Sequence, residues 1–336
     1  MSSWNISPRA EALHRSALVW DSTFPFGPSC GSHAAHVRTL DRMRAAGYTC
    51  VSLTTASDND DMAGAMRKIA HDRGFFRKFP DRFVVVESAD DILSAKREGK
   101  LAVVFSFQGT LPFDRDAGFV ELYYRLGVRH ALMAYNQKNN VGDGCHERTD
   151  AGLSRFGVEV VREMNRVGMI VDCAHTGYRT TMDVFEVAQG PVIFSHANPR
   201  ALWDHERNIR DDQARACART GGVIGVNGVG IFMGRNDIRS ETLFRCIDYW
   251  VNLVGPDHVG IGLDYVSDKV ALFDLMAAKA DKYPAGQQYD QGEFDFAAPE
   301  QMPELTELML GHGYSDEQVR GVLGANWLRV ARAVWK

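Results

Sequence analysis

Short apolar runs alternate along the chain with longer segments whose apolar residues recur every three to four positions. The runs centre near residues 18, 50, 103, 132, 170, 193, 225 and 260 and read as strands. Helical spacing is clearest over 153–167, where Leu153, Phe156, Val160, Val161, Met164 and Val167 share one face and Gly168 supplies the stop. Further helices are expected over 8–15, 37–46, 62–71, 89–98, 119–126, 211–219, 243–253, 305–310, 316–322 and 325–334, and a short extra strand over 83–87. Residues 24–36 read as a loop. Residues 265–300 read as irregular, with Tyr283, Tyr289, Phe294 and Phe296 among Gly, Asp and Gln. Loops of this kind at the functional face set specificity, so the segment is expected to act as a lid.

Strictly alternating strands and helices imply a parallel sheet. Eight such units favour a (β/α)8 TIM barrel with C-terminal helices, one domain over residues 1–336, rather than an open doubly wound sheet. Neither GxGxxG after the first strand nor GxxxxGK[ST] occurs, which removes support for nucleotide-binding sheets. Barrel active sites gather at the C-terminal strand ends. Those ends are Asp21, Thr54, Gln108, Tyr135, His175, His196, Asn227 and Asp264. The stretch 169–198 is central: its two strands flank a helix and each is followed by a histidine, so His175 and His196 emerge together at one end of the sheet.

Composition narrows the class. Hydrophobic residues make up 45% and charged residues 24% of 336, and 38 basic against 43 acidic side chains leave a net charge of −5. Such a mild, mixed balance gives no support to nucleic-acid binding. No run approaches the roughly 18–20 apolar residues of a membrane span. The N-terminal residues lack an apolar signal-peptide core, so a cytoplasmic location is expected. Cys30, Cys50, Cys145, Cys173, Cys217 and Cys246 show no CxxC spacing and read as buried thiols.

The segments LGVRHALMAYNQKNN, GLSRFGVEVVREMNRVGMIVDCAHTG, PVIFSHANPRAL, HERNIRDD, GGVIGV, HVGIGLDY and GYSDEQVRGVLGANWLRV together resemble the membrane (renal) dipeptidase family, a zinc peptidase branch of the amidohydrolase superfamily, over about residues 18–334. The resemblance implies a (β/α)8 barrel holding two zinc ions bridged by a glutamate. An His-x-Asp pair after the first strand would hold one ion, and histidines after strands five and six the other. His175 and His196 fall on these last two positions. Asp264 falls on the aspartate that handles the proton of the attacking water, and Arg207 on the arginine that receives the substrate's carboxylate. A dimer is a further family expectation.

The chain departs from the family at the first metal. Where the family has Asp-Gly-His-Asn-Asp it has Asp21-Ser22-Thr23-Phe24-Pro25, and neither Thr23 nor Pro25 is a strong zinc ligand. Gln108 stands at the bridging glutamate, and Tyr135 at the family's substrate-binding histidine. One ion, zinc, is therefore expected at His175, His196 and the Gln108 carbonyl oxygen, with Asp264 as proton acceptor and Arg207, Tyr135 and Asn136 at a small carboxylate-bearing amide or dipeptide. His33, His36 and Cys30 are weaker candidates for a replacement ligand. Asp143 and the run Cys145-His146-Glu147 read as structural. The rival reading is a metal-free barrel, doing non-hydrolytic acid–base chemistry or serving a biosynthetic pathway as an accessory.

Overall fold

A computed structural model describes residues 4–27 and 30–336. The barrel strands are β1 (Trp20–Pro25), β2 (Cys50–Ser57), β4 (Leu101–Gln108), β5 (Val128–Leu132), β6 (Ile170–Asp172), β7 (Val192–Ile193), β8 (Ile224–Val226) and β9 (Val259–Ile261), all pairing in parallel. They run in the order β7-β6-β5-β4-β2-β1-β9-β8. The Phe194 and Ile224 backbones then bridge the two ends, with Phe194 N–H on the Val223 carbonyl at 3.0 Å and Gly225 N–H on the Phe194 carbonyl at 2.8 Å. The result is a (β/α)8 barrel, as the alternation of periods implies. Strand β3 (Phe83–Val85) lies outside it, paired to the base of β4, while β5 takes the upper half of the same strand.

Helices α1 (Pro8–Ser16), α2 (His33–Ala45), α3 (Met62–Phe76), α4 (Ala89–Glu98), α5 (Gly118–Arg125), α6 (Arg155–Val167), α7 (Tyr178–Val187), α8 (Asp211–Arg219) and α9 (Ser240–Val254) lie in chain order around the strands. The apolar stripe of α6 is buried through Val160, Val161, Met164 and Val167, and Gly168 closes the helix at φ 91°. The C-terminal helices α11 (Met302–Gly311), α12 (Asp316–Arg320) and α13 (Asn326–Val334) pack at the side and base, where Trp327 donates from its indole to the Ile261 carbonyl.

Two sequence expectations fail locally. Helix α2 begins at His33, because the Ser32 hydroxyl accepts from the Ala35 N–H and caps it four residues ahead of the apolar periodicity. The presumed loop 24–36 is thus partly strand and partly helix, and its Pro28 and Ser29 lie outside the described residues. Within 265–300, α10 (Lys269–Ala278) is a regular helix capped by the Asp268 carboxylate. Its sequence KVALFDLMAA has apolar side chains on nearly every face, so no helical period stands out. The helix lies over the barrel mouth, where Leu272, Leu275 and Met276 line the cavity.

Candidate active site

The barrel rim gathers His175, His196, Gln108, Asp264 and Arg207, all buried at 7% exposure or less apart from Asp264, which is mostly buried. His175, Asn136 and Asp264 adopt left-handed backbone conformations at φ 60°, 59° and 58°. Asn, Asp and His tolerate that region better than other side-chain-bearing residues, and strain of this kind clusters at functional sites. It turns each side chain sharply inward at its strand end.

The two imidazoles face one another, Nε2 to Nε2, at 2.9 Å. Each is oriented by its other nitrogen. His175 Nδ1–H donates to Asn136 Oδ1 at 2.6 Å, while the Asn136 amide N–H donates to the Lys282 carbonyl at 2.9 Å. Because Asn136 Oδ1 is an acceptor, the proton of His175 sits on Nδ1 and its Nε2 lone pair points at His196. His196 Nδ1 lies 2.8 Å from Ser195 Oγ and 3.0 Å from Thr23 Oγ1. Both partners are hydroxyls, which donate or accept equally, so His196 can carry its proton on either nitrogen. Burial pushes both imidazoles well below the ordinary histidine pKa, and the Arg207 charge adds to the effect. They are therefore neutral, as metal ligation requires.

The spacing of the two imidazoles is close to what a divalent ion needs. Two imidazoles on a tetrahedral ion with bonds of 2.0–2.1 Å stand about 3.3 Å apart, so the rings need to part by only about 0.4 Å. Gln108, at the end of β4, holds an amide whose Nε2 is buried without a partner, leaving the group free to turn its oxygen toward the pair. No cluster of three His, Cys, Asp or Glu side chains suited to a metal occurs among the described residues. Thr23, at the first-metal position, is instead bonded to His196, and Pro25 lines the lid cavity. His36 is committed to Gly27 and Ser267, which takes it out of contention as a replacement ligand, and His33 stacks on His71 and Phe75. Cys30 is buried on the wall of the lid cavity.

Asp264 caps the eighth barrel strand. Desolvation raises its carboxyl to about 7, opposed by the Arg207 charge and the Asn227 amide. Asp21, at the floor, is likewise raised to about 7 by burial, although its Oδ1 accepts from Thr23 and Leu263 N–H groups at 3.1 and 3.0 Å. Arg207 is 2% exposed, with Nε unpartnered and Nη2 3.4 Å from the His196 carbonyl; its guanidinium lies 5.2 Å from the centre of the Phe232 ring. The turn that presents it is set by His205, which accepts from the Arg207 N–H at 3.0 Å and donates to the Gln287 carbonyl at 2.8 Å.

Tyr135 stacks on His175 with ring centres 4.1 Å apart, and its hydroxyl meets that of Tyr283 in the lid at 3.1 Å. Asp58 anchors this corner: its carboxylate accepts from the Leu111 and Tyr135 N–H groups and from the Asn139 amide, and its carbonyl accepts from Lys282. Asp58 and His205 gave no signal in the sequence, since a polar residue after a strand has many structural uses. Asn136, expected at the substrate, is fully buried and directs its side chain to His175 and the lid. His146 bridges Glu206 and Tyr289, consistent with a structural role for its loop.

The family model for membrane dipeptidase (Peptidase family M19) matches residues 27–284. The chain belongs to the membrane dipeptidase family. It is similar to an uncharacterized dipeptidase of Schizosaccharomyces pombe, 31% identical over 267 residues, covering 77% of this chain and 58% of that protein. It is also similar to a dipeptidase of Claviceps purpurea, 30% identical over 261 residues, covering 76% of this chain and 56% of that one. The chain thus spans a little over half the length of these curated relatives. The crystal structure of an amidohydrolase from Pseudomonas aeruginosa superposes with a TM-score of 0.89 at 32% identity, covering 97% of this chain and 99% of the other. A Rhodobacter sphaeroides metallopeptidase, solved with a phosphinate mimic of L-Ala-D-Ala, shares the fold at a TM-score of 0.78 and 19% identity, covering 95% and 99% of the two chains. No helix is long and apolar enough to cross a membrane among the described residues.

Proposed function

We propose that this protein is a metal-dependent hydrolase of a small amide bearing a carboxylate, working with one divalent ion, zinc, at His175, His196 and the Gln108 carbonyl oxygen. The observation that carries the reading is the pair of neutral imidazoles with facing Nε2 atoms, each fixed from behind by Asn136 or by Ser195 and Thr23. An ion held there supplies Lewis acidity to the scissile carbonyl and to water. Asp264, with a carboxyl at about 7, is poised to take the proton of the attacking water and pass it to the leaving nitrogen. Arg207 offers a guanidinium with an unused N–H to the substrate's carboxylate. Tyr135, packed flat on His175 and tied to Tyr283, shuts bulk water out of this corner.

The test is metal analysis of protein purified without chelator, with assays on carboxylate-bearing amides before and after zinc addition. One ion per chain and zinc-dependent turnover are expected. Well under one ion, with no activity recovered, would overturn the proposal. That result would favour the metal-free reading, in which the 2.9 Å contact between the imidazoles is a shared proton and Asp264 acts on substrate directly.

A further inference from the structure

The space around the imidazoles is divided into two unlike halves that meet at His175, the one described residue lining both. Under the lid, Phe26, Val229, Phe232, Leu272, Phe294 and Phe296 form the apolar side of a vault above Gln108 and Asp264, with Thr54, Thr55 and Asn59 on its polar side. It leaves about 100 Å³ for the centres of water-sized molecules, room for a phenyl or branched alkyl group. The other half is polar, with Arg200, Arg207 and Arg210 beside Glu147, Asp150 and Glu206. A substrate whose carboxylate lies at Arg207 therefore extends its acyl side past His175 into the vault.

A free dipeptide would carry its α-ammonium on that acyl side. A buried ammonium needs a carboxylate partner. Among the described residues lining the vault, Asp264 is the single carboxylate, and the one lysine, Lys68, is ion-paired with Asp60 at 2.7 Å. An ammonium paired to Asp264 would take away the group that accepts the proton of water. The apolar side of the vault instead rewards an uncharged chain at about 25 cal/mol per Å² buried.

We propose that the substrate is an N-acylated amino acid, not a free dipeptide, with a bulky apolar acyl group in the vault and its carboxylate at Arg207. The class of substrate rests on the hydrolase reading for its chemistry. Water adds to the acyl carbon, the C–N bond breaks, and the proton released to Asp264 goes to the leaving nitrogen, giving a carboxylic acid and a free amino acid.

The test uses the zinc-loaded full chain and three probes: N-(3-phenylpropanoyl)glycine, the dipeptide Phe-Gly, which differs from it only by the α-ammonium, and N-acetylglycine. Calorimetric binding and hydrolysis are measured for each. N-(3-phenylpropanoyl)glycine is expected to bind at least about tenfold more tightly than either of the others. Leu272→Asp, on the half-exposed face of α10, should shrink its advantage over N-acetylglycine several-fold with the melting temperature of the barrel unchanged. Phe-Gly binding as well as its des-amino analogue, N-acetylglycine binding as well as either, or no binding at all would each overturn the proposal. Selective binding without hydrolysis of any probe would support the ligand class and overturn the hydrolase reading instead.

Discussion

Gln108→Glu restores a carboxylate at the position where the family bridges its metals, and it separates a metal site from a hydrogen-bonded pair of rings. Gln108 is 7% exposed, and Asp264, which lines the same cavity, is already raised to about 7 by burial. A second carboxyl in such surroundings will remain protonated without metal. Holding a group of ordinary pKa about 4.3 neutral at pH 7 costs at most about 3.7 kcal/mol, from about 1.36 kcal/mol per pKa unit. The variant without zinc should therefore unfold at lower urea, by up to that amount. With zinc the sign reverses. An ionised carboxylate replaces a neutral amide oxygen as ligand, and affinity should rise at least about tenfold. Since an ion binding only the native state stabilises by RT ln(1 + [L]/Kd), about 4.1 kcal/mol at a thousand times Kd, zinc should more than offset the loss. Urea unfolding of both proteins with and without zinc, together with competition against a chromophoric chelator, measures both effects. A variant destabilised as expected but neither rescued by zinc nor tighter for it would refute the placement of residue 108 in one site with His175 and His196.

Three further predictions follow from the same geometry. If Asp264 is the proton acceptor, kcat/KM should rise with pH through about 7 and level off above it, and Asp264→Asn should abolish that limb along with about 10²-fold or more of the activity, read from pH–rate profiles. Asp21 has a folded pKa near 7, above its unfolded value, so the native state binds more protons than the unfolded state from about pH 4 to 7 and stability falls as pH rises through that window; Asp21→Asn, which keeps an acceptor oxygen for Thr23 and Leu263, should raise the melting temperature at pH 8 and change it little at pH 4. Arg207→Lys should raise KM for carboxylate-bearing amides about tenfold or more with a smaller loss in kcat, because an ammonium cannot reproduce a two-pronged grip, and should leave amides lacking the carboxylate nearly unaffected.

Much of the architecture was legible because barrel strands and their helices differ in period, and the periods are local. The run 169–198 shows this: two apolar strands, a helix between them, and a histidine after each strand place His175 and His196 on one rim without any long-range contact being known. The replacement of His-x-Asp by Thr23 and Pro25 is likewise a fact of sequence. Helix α10 escaped notice because its apolar residues cover most of its circumference, and a helix that roofs a cavity owes no single face to a core. The start of α2 escaped because a serine cap carries no periodic signal.

What the chain by itself determined was the barrel, the order of its strands and the residue types at each strand end, since these depend on alternation and on residues adjacent in sequence. What the tertiary structure alone decided was how those residues use one another. Thr23 meets His196 across 173 positions, Asn136 turns from substrate to His175, and Lys282 comes back over 224 positions to tie the lid to Asp58. Such contacts close only when the sheet curls into a cylinder and brings its first and last strands together. They carry no local pattern, and one of them, from His175 to Asn136, fixes the His175 proton on Nδ1.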